Sequence, residues 1–114
     1  MGLSGRAILA RIFLGESDRI RGRPAYAVIV EEARRRGIRG ATVLRGIMGY
    51  GAGSRIHSAA ILRLSEDLPI VIEIVDGEER IREFLPWLEN ELGGGLVTLE
   101  KVEVLRYTSG GEGA

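Results

Sequence analysis

A chain of 114 residues is long enough for one domain with a single core. Hydrophobic residues at 45% and charged residues at 28% are globular proportions, and 16 basic against 16 acidic side chains argue against a protein that coats nucleic acid. The absence of cysteine removes disulfides, thiolate metal ligands and thiol nucleophiles, while no apolar run reaches the roughly 18 to 20 residues of a membrane span or forms a secretion signal. A cytoplasmic protein that is not inserted in a membrane is expected. Fifteen of the basic residues are arginine and only Lys101 is lysine, a bias compatible with a thermophilic host or a GC-rich genome that decides neither.

Residues 6 to 14 alternate, with Ile8, Ala10, Ile12 and Leu14 on one face and Leu9, Arg11 and Phe13 on the other, and predict a first strand. A polar loop, "GESDRIRGRP", ends at Pro24, whose fixed φ suits a first helical turn. Tyr26, Ile29, Val30 and Ala33 then recur at helical spacing. Arg34, Arg35 and Arg36 complement the helix dipole in the last turn and Gly37 supplies a left-handed cap, so this arginine run reads as a helix end rather than a nucleic-acid patch.

Residues 38 to 48 form a second extended run, followed by the glycine-rich "GYGAGSRIHSA". A third run, "AAILRLS", leads through "EDLP" into the β-branched strand "IVIEIVD". Asp76, with Glu79 three positions on, has the spacing of a capping box, and Ile81, Phe84, Leu85 and Leu88 supply the apolar stripe of a second helix. Pro86 inside it predicts a kink, or a break into two short helices, near residues 82 to 86. Gly93, Gly94 and Gly95 stop the helix, and residues 96 to 107 read as a last strand whose phase shift predicts a bulge at Glu100 or Lys101. One domain over residues 1–108 and a mobile tail at 109–114 are expected.

The order βαββαβ is that of an α+β ferredoxin-like sandwich, a four-stranded antiparallel sheet with two helices on one face. That fold hosts many activities, so the side chains must discriminate. No aromatic pattern for stacking RNA bases is present, and "GESDRI" after the first strand is acidic where an acyl phosphatase would need an anion cradle. No set of acid, base and nucleophile can be assembled, so an enzyme is not expected. His57, the single histidine, reads as a polar surface residue; metal binding would need several copies to converge. Arg11, Arg45 and Arg63 lie on strands and can pair with Glu73 or Glu103 across the sheet.

The motifs "GATVLRGIMGYG", "IHSAAILRLSEDLPIVIEIVD" and "GGGLV" resemble the small prokaryotic proteins grouped as domain of unknown function 190, which are PII-like, over roughly residues 6 to 107. More distantly, "GIRGATV", "GYG" and "LPIVIEIV" are similar to segments of the PII signalling proteins. The resemblance implies a homotrimer with adenine nucleotide in clefts between subunits, and a loop after the second strand that contacts a target protein such as a transporter, channel or enzyme. It implies base and ribose contacts at Gly40, Thr42, Glu73 and Val75, and phosphate contacts at Gly49 and Gly51, which flank Tyr50, and at Gly93, Gly94 and Gly95. Leu96 stands where PII proteins carry a phosphate-binding lysine, Arg106 is the one candidate for their C-terminal arginines, and the T-loop tyrosine motif is replaced by "AGSRIHSA". AMP or ADP is therefore expected in preference to ATP, with Arg45 and Arg55 as partial substitutes for the missing charge. The rivals are a trimeric divalent-cation-binding protein of the same fold and a small nucleotide-acting enzyme.

Overall fold

Alternating burial along two long strands builds the sheet and selects the face that the helices cover. The computed structural model describes residues 4–51, 57–58 and 67–108. In chain order these form β1 (Gly5–Gly15), β2 (Arg19–Ile20), β3 (Arg23–Pro24), α1 (Ala25–Arg35), β4 (Gly40–Arg45), β5 (Met48–Gly49), β6 (His57–Ser58), β7 (Pro69–Asp76), α2 (Glu78–Glu91) and β8 (Leu96–Val104). The four long strands make one antiparallel sheet in the order β4-β7-β1-β8. Ile8, Ala10, Ile12 and Leu14 of β1 join Ile70, Ile72 and Ile74 of β7 beneath Ala25, Ile29 and Ala33 of α1 and Ile81, Phe84 and Leu88 of α2. The ferredoxin-like α+β architecture is thus the observed one.

Local chemistry explains most element ends. Gly37 has φ +84°, the left-handed cap that a Cβ would disfavour, and the Gly37 amide donates to the Arg34 carbonyl. Glu32 accepts from Arg35 and Arg36, which hold its carboxyl down at about 2. The loop before α1 is more ordered than its composition suggests. Arg21 and Gly22 both have positive φ, the turn that closes a two-residue hairpin, and it buries Ile20 beneath the core.

Three expectations are corrected. Asp76 does not cap α2, because its side chain is drawn inward. The residue is 1% exposed, ends β7, and accepts from the Arg39 amide at 3.0 Å, the Arg39 guanidinium at 3.0 Å and the Gly77 amide at 2.7 Å, with Arg80 Nε at 3.5 Å. Two cations and two amides outcompete the helix end for one carboxylate. Of the kink or break expected at Pro86, the break is absent, since α2 runs from Glu78 to Glu91. Pro86 and Arg82 are exposed, so water can take the freed Arg82 carbonyl while Ile81, Phe84 and Leu88 hold the opposite side on the sheet. No bulge interrupts β8, which pairs with β1 residue for residue from Gly5–Val104 to Phe13–Leu96. Lys101 and Glu103 simply take exposed helix-side positions on the edge strand, where charge is tolerated and Glu78 at the start of α2 lies near. The run "AAILRLS" and the segment 109–114 lie outside the described residues.

Asp76 ties the start of β4, the end of β7 and the first turn of α2 together. Asp76→Ala should destabilise the domain by about 2–4 kcal/mol, since two backbone amides lose a charged acceptor, and Asp76→Asn by roughly half as much because one carbonyl acceptor survives. Urea unfolding of the two variants beside the parent chain measures both.

Candidate functional site

Of the residues singled out for a ligand, Gly40, Thr42, Glu73 and Val75 lie on the sheet face that the helices leave bare. Directly opposed strand residues share a face, so the ladder sets them in rows. Gly40, Val75, Leu9 and Glu100 form one row, Thr42, Glu73, Arg11 and Thr98 the next, and Leu44, Val71, Phe13 and Leu96 the third. Gly40 and Val75 therefore adjoin, as do Thr42 and Glu73. From Gly40 to Leu44 the strand advances about 13 Å, comparable to the reach from a nucleoside base to its phosphates.

The middle row is charged. Arg11 Nε donates to Glu73 at 3.0 Å and Arg11 Nη1 donates to Glu100 at 3.0 Å. The hydrogen bond to Glu73, then that to Glu100, pushes the guanidinium's pKa up, so Arg11 is a fixed cation between two carboxylates. The trio sums to one negative charge, which favours hydroxyl donors such as those of a ribose over phosphate. Arg45, by contrast, is held by Glu16.

The glycines cluster at the other end of the rows. A Cβ at Gly49 would lie 3.1 Å from Pro69 Cγ, so Gly49 packs over the start of β7. Gly95 has φ +115° and a Cβ there would meet the Phe13 carbonyl oxygen at 2.6 Å, so this glycine is required by the backbone alone. Gly93, Gly94 and Gly51 differ, since nothing lies within 4 Å of an added Cβ and their φ values are ordinary. Their bareness has no packing cause among the described residues. Gly49 belongs with β7 and Gly95 with β8, strands separated by β1 and so about 10 Å apart. One subunit therefore cannot close both glycine segments on a single phosphate. Arg106 follows β8 at the Gly40 end, a sheet length away from Gly93 to Gly95.

The loop after β4 leaves through a short ladder in which Met48 pairs with Ser58 and Gly49 with His57. Ile47, Met48 and Tyr50 are exposed at this neck, Ile47 by 81% and Tyr50 by 70%. Sequence reasoning read the glycines here but missed the ladder, for which a two-residue pairing leaves no periodic signal. It also missed Tyr107, which covers Gly40. Positions 52–56, with Arg55, and the side chain of His57 lie outside the described residues. Among the described residues no group of three or more His, Cys, Asp or Glu is arranged to hold a metal ion. No described helix is long and apolar enough to cross a membrane.

Comparison with known proteins adds relatives and folds. The family model DUF190, "Uncharacterized ACR", matches residues 7–104. A UPF0166 protein of Aquifex aeolicus is 43% identical over 97 residues, covering 85% of this chain and 91% of the relative. A UPF0166 protein of Methanocaldococcus jannaschii is 38% identical over 102 residues, covering 89% and 94%. Among solved structures, a putative PII-like signaling protein from Thermus thermophilus aligns with a TM-score of 0.65 at 23% identity, covering 89% of this chain and 91% of that one. CPII, a nitrogen regulatory PII-like protein from Thiomonas intermedia, bound to ADP, AMP and bicarbonate, aligns with a TM-score of 0.63 at 18% identity, covering 91% of each chain. The fold is thus PII-like, and with the family model spanning nearly the whole sheet and both helices, the chain belongs to the DUF190 family.

Proposed function

We propose that this chain is a PII-like regulatory protein, not an enzyme, that binds AMP or ADP in clefts completed by neighbouring copies and contacts a target protein through the loop after β4. The observation that carries the reading is the bareness of Gly93 and Gly94 beside β8, where no packing or backbone demand among the described residues calls for glycine. Amides at such a position can approach a phosphate closely. CPII, with a similar fold, was solved with ADP and AMP bound. The base and ribose would take the Gly40, Thr42, Glu73 and Val75 end, and Gly49, Tyr50 and Gly51 would close the cleft at the loop neck. Gly93, Gly94 and Gly95 and the Arg106 side chain would then meet one nucleotide only across a subunit boundary, because in one chain they lie at opposite ends of the sheet. The exposed Ile47, Met48 and Tyr50 suit a loop that docks on protein.

Calorimetric titration with AMP, ADP, ATP and divalent metals tests the ligand class. Saturable binding of AMP or ADP is expected, with ATP bound less than about a hundredfold more tightly than AMP, because added phosphates meet Leu96 rather than a cation. Leu96→Lys should shift preference toward ATP.

The glycines separate fold from ligand. Gly95→Ala should cost roughly 1–3 kcal/mol of stability. The double variant Gly93→Ala, Gly94→Ala should melt with the parent chain yet lose nucleotide affinity. Equal affinity in that variant would remove the phosphate role.

Assembly is the third test. Leu9, Phe13, Val71, Val75 and Val102 are half-buried on the bare face, and Leu44 and Leu96 are 49% and 55% exposed there. Such a surface is covered by association, and sedimentation equilibrium at micromolar concentration should give a trimer.

A further inference from the structure

Gly40 is the one buried residue of β4, and what buries it comes from the far edge of the sheet. The chain leaves β8 after Val104 and returns across the strand ends, with Leu105 and Arg106 exposed, until Tyr107 lands on Gly40. A Cβ at Gly40 would lie 2.7 Å from Tyr107 Cε2 and 3.1 Å from its hydroxyl oxygen, with Val75 Cγ1 at 3.0 Å on the other side. The ring is in contact with bare backbone, and only glycine permits it. The hydroxyl donates to the Arg39 carbonyl. That carbonyl sits on a fixed support, since Asp76 takes both the Arg39 amide and its guanidinium.

A flat aromatic ring on a glycine, beside Val75 and next to the Thr42–Glu73 pair, fills the surface assigned above to the nucleotide base. Resting on that assignment, we infer that the Tyr107 ring and the nucleotide base compete for one surface, so that the ring must withdraw when nucleotide binds. Its seat is shallow: Tyr107 is 38% exposed, and its hydroxyl is held by one neutral hydrogen bond. Apparent affinity then equals intrinsic affinity reduced by the fraction of molecules in which the ring has left.

The test is titration of AMP and ADP into the full chain and into Tyr107→Phe and Tyr107→Ala. Phe keeps the ring and loses only the bond to Arg39, so Y107F should bind about fivefold more tightly, the equilibrium equivalent of one neutral hydrogen bond. Y107A should gain at least as much. Affinity unchanged in Y107F, or reduced in Y107A as expected for a ring that stacks on the base, overturns the inference while leaving nucleotide binding intact. Absence of binding in the parent chain and both variants overturns the nucleotide reading and this inference with it. Binding by the variants but not by the parent chain supports both.

Discussion

The register of β1 against β7, one-to-one from Ile8–Asp76 to Gly15–Pro69, is the constraint from which the rest follows. Because side chains alternate, fixing Ile8, Ala10, Ile12 and Leu14 toward the helices also fixes Leu9, Arg11 and Phe13 on the reverse. The same holds for Ile70, Ile72 and Ile74 against Val71, Glu73 and Val75. The core therefore specifies the bare face without contributing an atom to it. A one-residue slip of β1 would bury Arg11 under the helices and turn Ile8 and Ile12 outward, so the packing of the core alone maintains the geometry of the bare face.

Much of this was legible in the sequence because it is periodic or local. The alternation of β1, the helical spacing of Ile29 and Ala33, and the Gly37 cap each declare themselves within a few residues. What could not be read depends on distant partners. Asp76 has the local pattern of a helix cap, and only the approach of Arg39 and Arg80 turns it into a buried anchor. The β8 bulge was inferred from a hydrophobic phase shift, but Lys101 and Glu103 tolerate helix-side positions because β8 is an edge. Tyr107 meets Arg39 across 68 positions, through a segment with no regular structure, and no window of sequence contains that contact. For the candidate site, residue types and their neighbours along a strand were foreseeable. The separation of the two glycine segments across the sheet was not, because it depends on strand order.

Electrostatics divides the bare face. Arg11 with Glu73 and Glu100 makes its centre polar and slightly negative, while Leu44 and Leu96 leave its glycine end apolar. Any surface that packed there would have to satisfy or avoid the central charges, which would restrict its orientation more than apolar contact alone. The arginine-only design of these pairs also matters, since a guanidinium keeps its charge at every pH the fold survives.

The two-residue ladder between β5 and β6 gives the loop after β4 a closed base. Since Met48–Ser58 and Gly49–His57 already bring the ends together, the span between them can change in length at a cost that grows only with the logarithm of its residue count. The sheet is shielded from whatever sequence fills that span. A chain built this way tolerates insertion or replacement between Gly49 and His57 without disturbing the four long strands.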